Sequence, residues 1–211
     1  PLTPIQLTID RLKNKYSIKL ETNEKEDFAK SLRIIVKQIK LIENLVNEFS
    51  DFARMPKPIL KVNNLTMIIK DNINLLKEID ETIEIETTSS KKDVFLKSDN
   101  EQLSRVFFNL IKNSVESIQE KKHNNPDYKG KIRIELKSSE AYVDFFIIDN
   151  GIGFGILKNN IKNILNPYFT TKKKGTGLGL AIVNKIINDH NGLLNFSPLD
   201  DGAKIEIKFN K

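Results

Sequence analysis

Three short runs hold side chains whose types and spacing could do chemistry. The first is Asn109-Leu-Ile-Lys-Asn113-Ser-Val-Glu116. On a helix, Asn109, Asn113 and Glu116 stand at i, i+4 and i+7 and share one face. An Asn carbonyl is a hard-oxygen ligand of the kind Mg²⁺ takes while keeping several waters and sharing phosphate oxygens. A solvated polar face is the competing reading in a chain this rich in Asn. The second run is Asp149-Asn-Gly151-Ile-Gly153, closing the apolar strand pattern Val143-Asp-Phe-Phe-Ile-Ile. A carboxylate at the end of a buried strand needs a donor, and the exocyclic amine of adenine would serve. Gly151 and Gly153 would let the backbone turn sharply beside a ring. A plain Asp-Asn-Gly turn between two strands fits the same residues.

The third run is Phe169-Thr-Thr171-Lys172-Lys173-Lys174-Gly175-Thr176-Gly177-Leu178-Gly179-Leu, which opens the last helix. Backbone N–H groups at a helix start, with the positive end of the dipole, favour phosphate oxygens. No Gly-Lys-Ser/Thr closes the loop, so it is not a Walker A loop. The G-x-G-x-G spacing without a βαβ unit excludes the dinucleotide fingerprint. The three lysines could pair with terminal phosphates or form a solvated loop, and Lys172 is the one selected for the functional role. Together, in this order, the runs describe a pocket for a nucleotide polyphosphate and its metal ion. His123 and His190, the only two His of the chain, read as surface or helix-end residues rather than as a phosphoacceptor or general base.

The elements that must position these residues fall into two parts. Residues 1–55 contain no Gly. Apolar residues at Phe28, Leu32, Ile35, Ile39, Ile42, Val46, Phe49 and Ala53 alternate spacings of four and three, the seam of a coiled coil or bundle. A shorter pattern, Leu2, Ile5, Ile9 and Leu12, precedes it across the polar stretch 21–26, read as a connection between antiparallel helices. Two helices cannot enclose so long a seam, so a homodimer forming a four-helix bundle is expected. Met55-Pro-Lys-Pro58 ends the helix, with residues 56–58 as linker. Residues 59–211 mix helix-like segments at 63–79, 99–121 and 177–190 with strand-like segments at 82–87, 94–96, 131–136, 142–148, 193–196 and 204–209. They predict an α+β two-layer sandwich, helices on one face of a mostly antiparallel sheet.

Composition sets outer bounds. The chain has 211 residues, 39% hydrophobic and 29% charged, with no Cys and no Trp. No apolar run approaches the ~18 residues that span a bilayer, no secretory signal is present, and the lack of Cys fits a reducing compartment. A net charge of +6 comes without a basic stripe interleaved with aromatics, so no nucleic-acid partner is expected. The start at Pro1 suggests a piece of something longer.

The set of motifs resembles the ATP-binding domain of sensor histidine kinases, in the superfamily shared with DNA gyrase, Hsp90 and MutL. Residues 109–117 resemble the N box, Asp149 to Gly153 the G1 box, Pro167 to Thr171 the F box, and Gly175 to Gly179 the G2 box. Pro1-Leu-Thr-Pro-Ile-Gln-Leu resembles the tail of the H box in nitrogen-regulation (NtrY-like) kinases. The resemblance implies a phosphoaccepting His upstream of Pro1, transfer of the ATP γ-phosphoryl to that His, and onward transfer to an Asp on a response-regulator receiver domain. It implies Mg²⁺ on Asn113 with Asn109 in support, adenine on Asp149, and a base pocket shaped by Gly151 and Gly153. It further implies nucleotide contacts from Phe169, Thr171, Lys172, Gly175, Thr176, Gly177, Leu178 and Gly179. It also implies a cytoplasmic domain of a bacterial inner-membrane protein, with no membrane contact by residues 1–211.

Two positions depart from relatives. Many histidine kinases carry a basic residue three positions after the metal Asn, where this chain has Glu116; phosphate contact then falls to the loop lysines. Hydrolysing cousins place a Glu four residues before the metal Asn, where this chain has Asn109, which cannot take a proton at neutral pH. This favours phosphoryl transfer to protein over hydrolysis. An ATPase of the same superfamily and a non-enzymatic dimerisation module remain the alternatives.

Overall fold

The computed structural model describes residues 3–16, 22–78, 80–154, 161–172 and 175–211. The chain divides into two compact units between Met55 and Pro56. The first is a helical hairpin of α1 (Thr3–Tyr16) and α2 (Thr22–Ala53). Ile9 of α1 is buried with Leu32 and Ile39 of α2, and Phe28 and Val36 pack against them. At 14 residues against 32, α1 is too short to cover α2. Ile35, Ile42, Val46 and Phe49 consequently stay 45–50% exposed.

One expectation is corrected here. Residues 22–26, read as part of a polar connection, already belong to α2. Glu and Lys are strong helix formers, and Glu24 lies in the first turn, where a carboxylate complements the dipole. Hydrophobic periodicity cannot register a helical turn that is polar all round.

The second unit is the expected two-layer sandwich. Five strands, β2 (Glu84–Ser89), β4 (Lys131–Ser138), β5 (Tyr142–Asp149), β6 (Leu193–Pro198) and β7 (Ala203–Asn210), lie in the order β2-β4-β5-β7-β6. Only the β2–β4 pair is parallel. Alternate residues of β4, β5 and β7 are buried: Ile132, Ile134 and Leu136; Val143, Phe145 and Ile147; Ile205, Ile207 and Phe209. The apolar stripes of α3 (Leu65–Lys77), α4 (Asn100–Asn124) and α5 (Gly179–Asp189) supply the other half of the core. Phe107 of α4 meets Phe145 of β5 with ring centroids 4.8 Å apart and tilted 47°. On the opposite sheet face the Nζ atoms of Lys137 and Lys204 lie 4.9 and 4.8 Å from the Phe146 ring centroid.

A small ribbon of β1 (Lys61–Asn64) and β3 (Phe95–Ser98) precedes α4. The sequence pattern locates β3 within one or two residues, but it runs the following helix through Asn63 and Asn64 and carries no sign of β1. Four residues carry too little periodicity to declare a strand. Asn64 instead caps α3, its Oδ1 accepting from the Thr66 and Met67 N–H groups at 3.0 and 3.4 Å.

Asp99 caps α4 through Oδ1, accepting from Gln102 N at 3.1 Å, while Oδ2 accepts from Ile59 N at 2.8 Å. Burial pushes the Asp99 carboxyl up, but these N–H donors outweigh it and hold it below the ordinary value. His190, at the end of α5 and only 8% exposed, braces the same cap. Its Nε2 accepts from Asp99 N at 3.0 Å and its Nδ1 lies 2.8 Å from the Ile186 carbonyl, an arrangement satisfied with the proton on Nδ1. His123 is exposed in the last turn of α4.

Candidate functional site

Register puts Asp149 where its chemistry is unusual. It continues the inward row of β5 (Val143, Phe145, Ile147) and is 5% exposed. Ser114 Oγ of α4 donates to Oδ2 at 2.9 Å, and Gly151 N donates to Oδ1 at 3.0 Å. Burial pushes the carboxyl above its ordinary value, with Gly151 N, Ser114, Ala203 N and the Lys121 charge pulling the other way.

The turn that follows is fixed from three sides. Gly151 lies so close to Ser117 of α4 that a side chain would be driven into it. Lys121 Nζ donates to the carbonyls of Asn150 (2.9 Å) and Gly151 (3.2 Å) and to Tyr128 Oη (3.0 Å), and it pairs with Asp201. Tyr128 Oη donates to the Asn150 carbonyl at 2.6 Å. Asn150 itself accepts from Lys131 N at 2.7 Å and donates to the Lys129 carbonyl at 2.9 Å. Burial lowers the Lys121 pKa, but the Asp201 and Tyr128 bonds prevail and raise it. Gly202 adopts φ +102° with its Cα against the Asp149 carbonyl, a place where any side chain is strained and blocked. Gly153 sits against Gly202, where a Cβ would come within 2.5 Å of the Gly202 carbonyl oxygen.

Lys121, Tyr128, Asp201 and Gly202 were not found from the sequence. One signal was available: Ser114, Ser117 and Lys121 at i, i+3 and i+7 form a polar edge on α4. Nothing in the sequence pairs that edge with the β6–β7 turn.

A neighbouring face of α4 carries the first motif. Asn109 Nδ2 donates to the Arg105 carbonyl at 2.8 Å, and its Oδ1 faces Gly179, where a Cβ would lie 3.2 Å away. Asn113 Oδ1 accepts from Lys172 Nζ at 3.1 Å, and the same ammonium pairs with Glu116. Lys112 stands 3.8 Å from Glu116 on its other side. Asn113 and Glu116 thus hold one cation between two hard oxygens, the donor chemistry a Mg²⁺ ion uses, and in this respect the site fits the ion that the motifs imply. No group of three or more His, Cys, Asp or Glu suited to a metal exists among the described residues.

The glycine-rich turn is folded onto this face. Tyr168 N donates to the Gly177 carbonyl at 3.0 Å, and both residues take positive φ, +67° and +71°. A side chain at Gly177 would be driven into the Tyr168 backbone, so the tight approach requires glycine. Gly175 N donates to the Lys172 carbonyl at 3.1 Å, and Thr176 Oγ1 accepts from Leu178 N at 3.4 Å. Leu178 is fully buried and heads α5 with no side-chain cap, which leaves the first N–H groups of an 11-residue helix without a side-chain acceptor. Phe169 is half-buried and Thr171 exposed. Lys173 and Lys174 lie outside the described residues. The structure therefore brings Asp149, Gly151, Asn109, Asn113, Lys172 and Gly179 to one helix, α4.

Comparison with known proteins gives a consistent result. Residues 98–211 match the family described as histidine kinase-, DNA gyrase B- and HSP90-like ATPase. The whole chain aligns at 36% identity with a putative NtrY-like sensor histidine kinase of Rickettsia prowazekii, spanning 34% of that protein. It aligns over 98% of its length at 37% identity with the nitrogen regulation protein NtrY of Azorhizobium caulinodans, spanning 26% of it. The chain thus covers about a third or less of these relatives. The catalytic domain of histidine kinase ThkA superimposes with a TM-score of 0.62 at 26% identity, over 72% of this chain and 95% of that one. The fold of ThkA solved in complex with the response regulator TrrA matches 99% of this chain and 57% of that one, with a TM-score of 0.70 at 22% identity. The chain belongs to the histidine kinase-, DNA gyrase B- and HSP90-like ATPase family, and residues 98–211 carry the match.

Proposed function

We propose that the chain is the cytoplasmic core of a sensor histidine kinase that binds Mg²⁺-ATP and moves its γ-phosphoryl to a histidine and on to a receiver-domain Asp of a response regulator. The observation that carries this reading is the gathering of three distant motifs on α4: Asp149 on Ser114, Lys172 on Asn113, and the uncapped start of α5 beside Asn109. Asp149 accepts the adenine amine from a site closed to bulk water, and Gly151 and Gly153 line the base pocket. Asn113 holds Mg²⁺ with Asn109 beside it, while Lys172 and the amides of Gly175–Gly179 hold the phosphates. Mg²⁺ held there would supply charge neutralisation at the phosphates, so what the chain's own residues add is mostly position and charge.

Asn109 supports transfer over hydrolysis. Its amide nitrogen is already committed to the Arg105 carbonyl, and an amide offers no base for water. His190 is a poor acceptor, because it is buried with both ring nitrogens engaged. Incubation with γ-labelled ATP and Mg²⁺ tests this reading. We expect no stoichiometric label on His123 or His190 and only slow phosphate release. Rapid phosphate release would favour the ATPase alternative, and stoichiometric label on either His would overturn the assignment.

The exposed apolar row of α2 supports a homodimer in which two hairpins complete a four-helix bundle. No described helix is long and apolar enough to cross a membrane.

A further inference from the structure

The ammonium of Lys172 lies where the reading above puts a metal ion. It bridges Asn113 Oδ1 (3.1 Å) and the Glu116 carboxylate, two side chains one helical turn apart on α4, from a loop more than fifty residues away in sequence. An exposed ion pair alone is worth little, about 0–1 kcal/mol. This one differs because the same ammonium also takes the amide oxygen of Asn113 at the foot of the glycine-rich turn. Among the described residues Glu116 is the anion in contact with Lys172, and Lys112 approaches the same carboxylate at 3.8 Å.

We propose that Glu116 and Lys172 form an exchange pair: Lys172 Nζ occupies the divalent-cation position until a divalent ion displaces it, and Glu116 becomes a metal-facing carboxylate once Lys172 leaves. This rests on the nucleotide reading above and extends it to a residue that the motifs left without a role. A carboxylate and an amide oxygen converging on one point suit a hard divalent ion better than an ammonium, since they offer oxygen ligands to an ion of twice the charge. Lys172, released, has the terminal phosphates as its next anionic partner. The positive charge that a basic residue at position 116 would have supplied then comes from the loop, and the helix keeps a negative charge for the metal.

Free Mn²⁺, followed by the electron paramagnetic resonance signal of the unbound ion, tests the exchange without nucleotide or turnover. The full chain is compared with Lys172→Met and with the double variant Lys172→Met/Glu116→Gln. Both changes are near-isosteric and lie at partly exposed positions, with side-chain exposures of 37% and 36%. We expect Lys172→Met to bind Mn²⁺ about tenfold more tightly than the unaltered chain, and the double variant to lose that gain. Equal affinity of Lys172→Met and the unaltered chain would overturn the proposal, as would a gain that survives Glu116→Gln. A parallel titration of the unaltered chain with a non-hydrolysable ATP analogue separates the two levels. Failure there would sink the nucleotide reading, while the Mn²⁺ series decides the exchange by itself.

Discussion

Asp149 stores an unfavourable ionisation in the folded chain. Its pKa is raised by burial, so between 3.8, the ordinary value, and the raised value the folded state keeps a proton that the unfolded state has lost. The group's contribution is therefore full below 3.8 and declines as pH rises through the folded pKa. Asp149→Asn removes that dependence and can keep the Ser114 bond by rotating the hydroxyl. Urea unfolding should show the variant no less stable at pH 7.5, with its advantage over the unaltered chain growing as pH rises from about 4. Nucleotide affinity should fall by roughly 100-fold, the loss of a charge-assisted bond. A variant that is destabilised at neutral pH, or that binds nucleotide normally, would contradict the assignment.

Gly202 makes the complementary case. Gly202→Ala forces a side chain into the Asp149 carbonyl at φ +102° and should cost about 2–4 kcal/mol in urea unfolding. Asp149 was legible in the sequence because strand parity is read directly from alternating residues. Gly202 was not, since its constraint comes from a strand neighbour more than fifty residues away.

At the scale of elements, α4 is the part on which the site depends. One edge (Ser114, Ser117, Lys121) grips the Asp149 turn, and an adjacent face (Asn109, Asn113, Glu116) meets the loop before α5. Lys121→Met removes donors to two turn carbonyls while keeping the aliphatic stem. It should cost about 1–2 kcal/mol of stability and weaken nucleotide binding about tenfold; calorimetry showing unchanged affinity would mean the turn holds its shape without the lysine. Long periodic elements such as α4 and β5 were legible because hydrophobic period reports them over many residues. The four-residue β1 and the polar first turns of α2 were not, because one is too short and the other has no apolar face. Which side of α4 meets which turn is tertiary information, and the sequence holds only the polar edge that makes such a meeting possible.

At the scale of the whole molecule, the exposed apolar row of α2 is what the proposed four-helix bundle would bury. Ile42 and Val46 are each 50% exposed on successive turns of α2. Placing Glu at both positions should convert the proposed dimer to a monomer in sedimentation experiments without loss of helical signal, because an exposed helix accepts Glu readily. A chain that sediments as a monomer before any substitution would remove the bundle from the account. Nucleotide binding should persist in the substituted chain, since residues 56–211 form a compact unit of their own.

The central claim, a metal-dependent nucleotide site built on α4, is tested most directly by calorimetric titration of the chain with a non-hydrolysable ATP analogue, with and without Mg²⁺. The account predicts binding that strengthens about tenfold or more with Mg²⁺ and loses that metal dependence in Asn113→Ala. Absence of binding at millimolar nucleotide, or an affinity indifferent to both Mg²⁺ and Asn113, would contradict it.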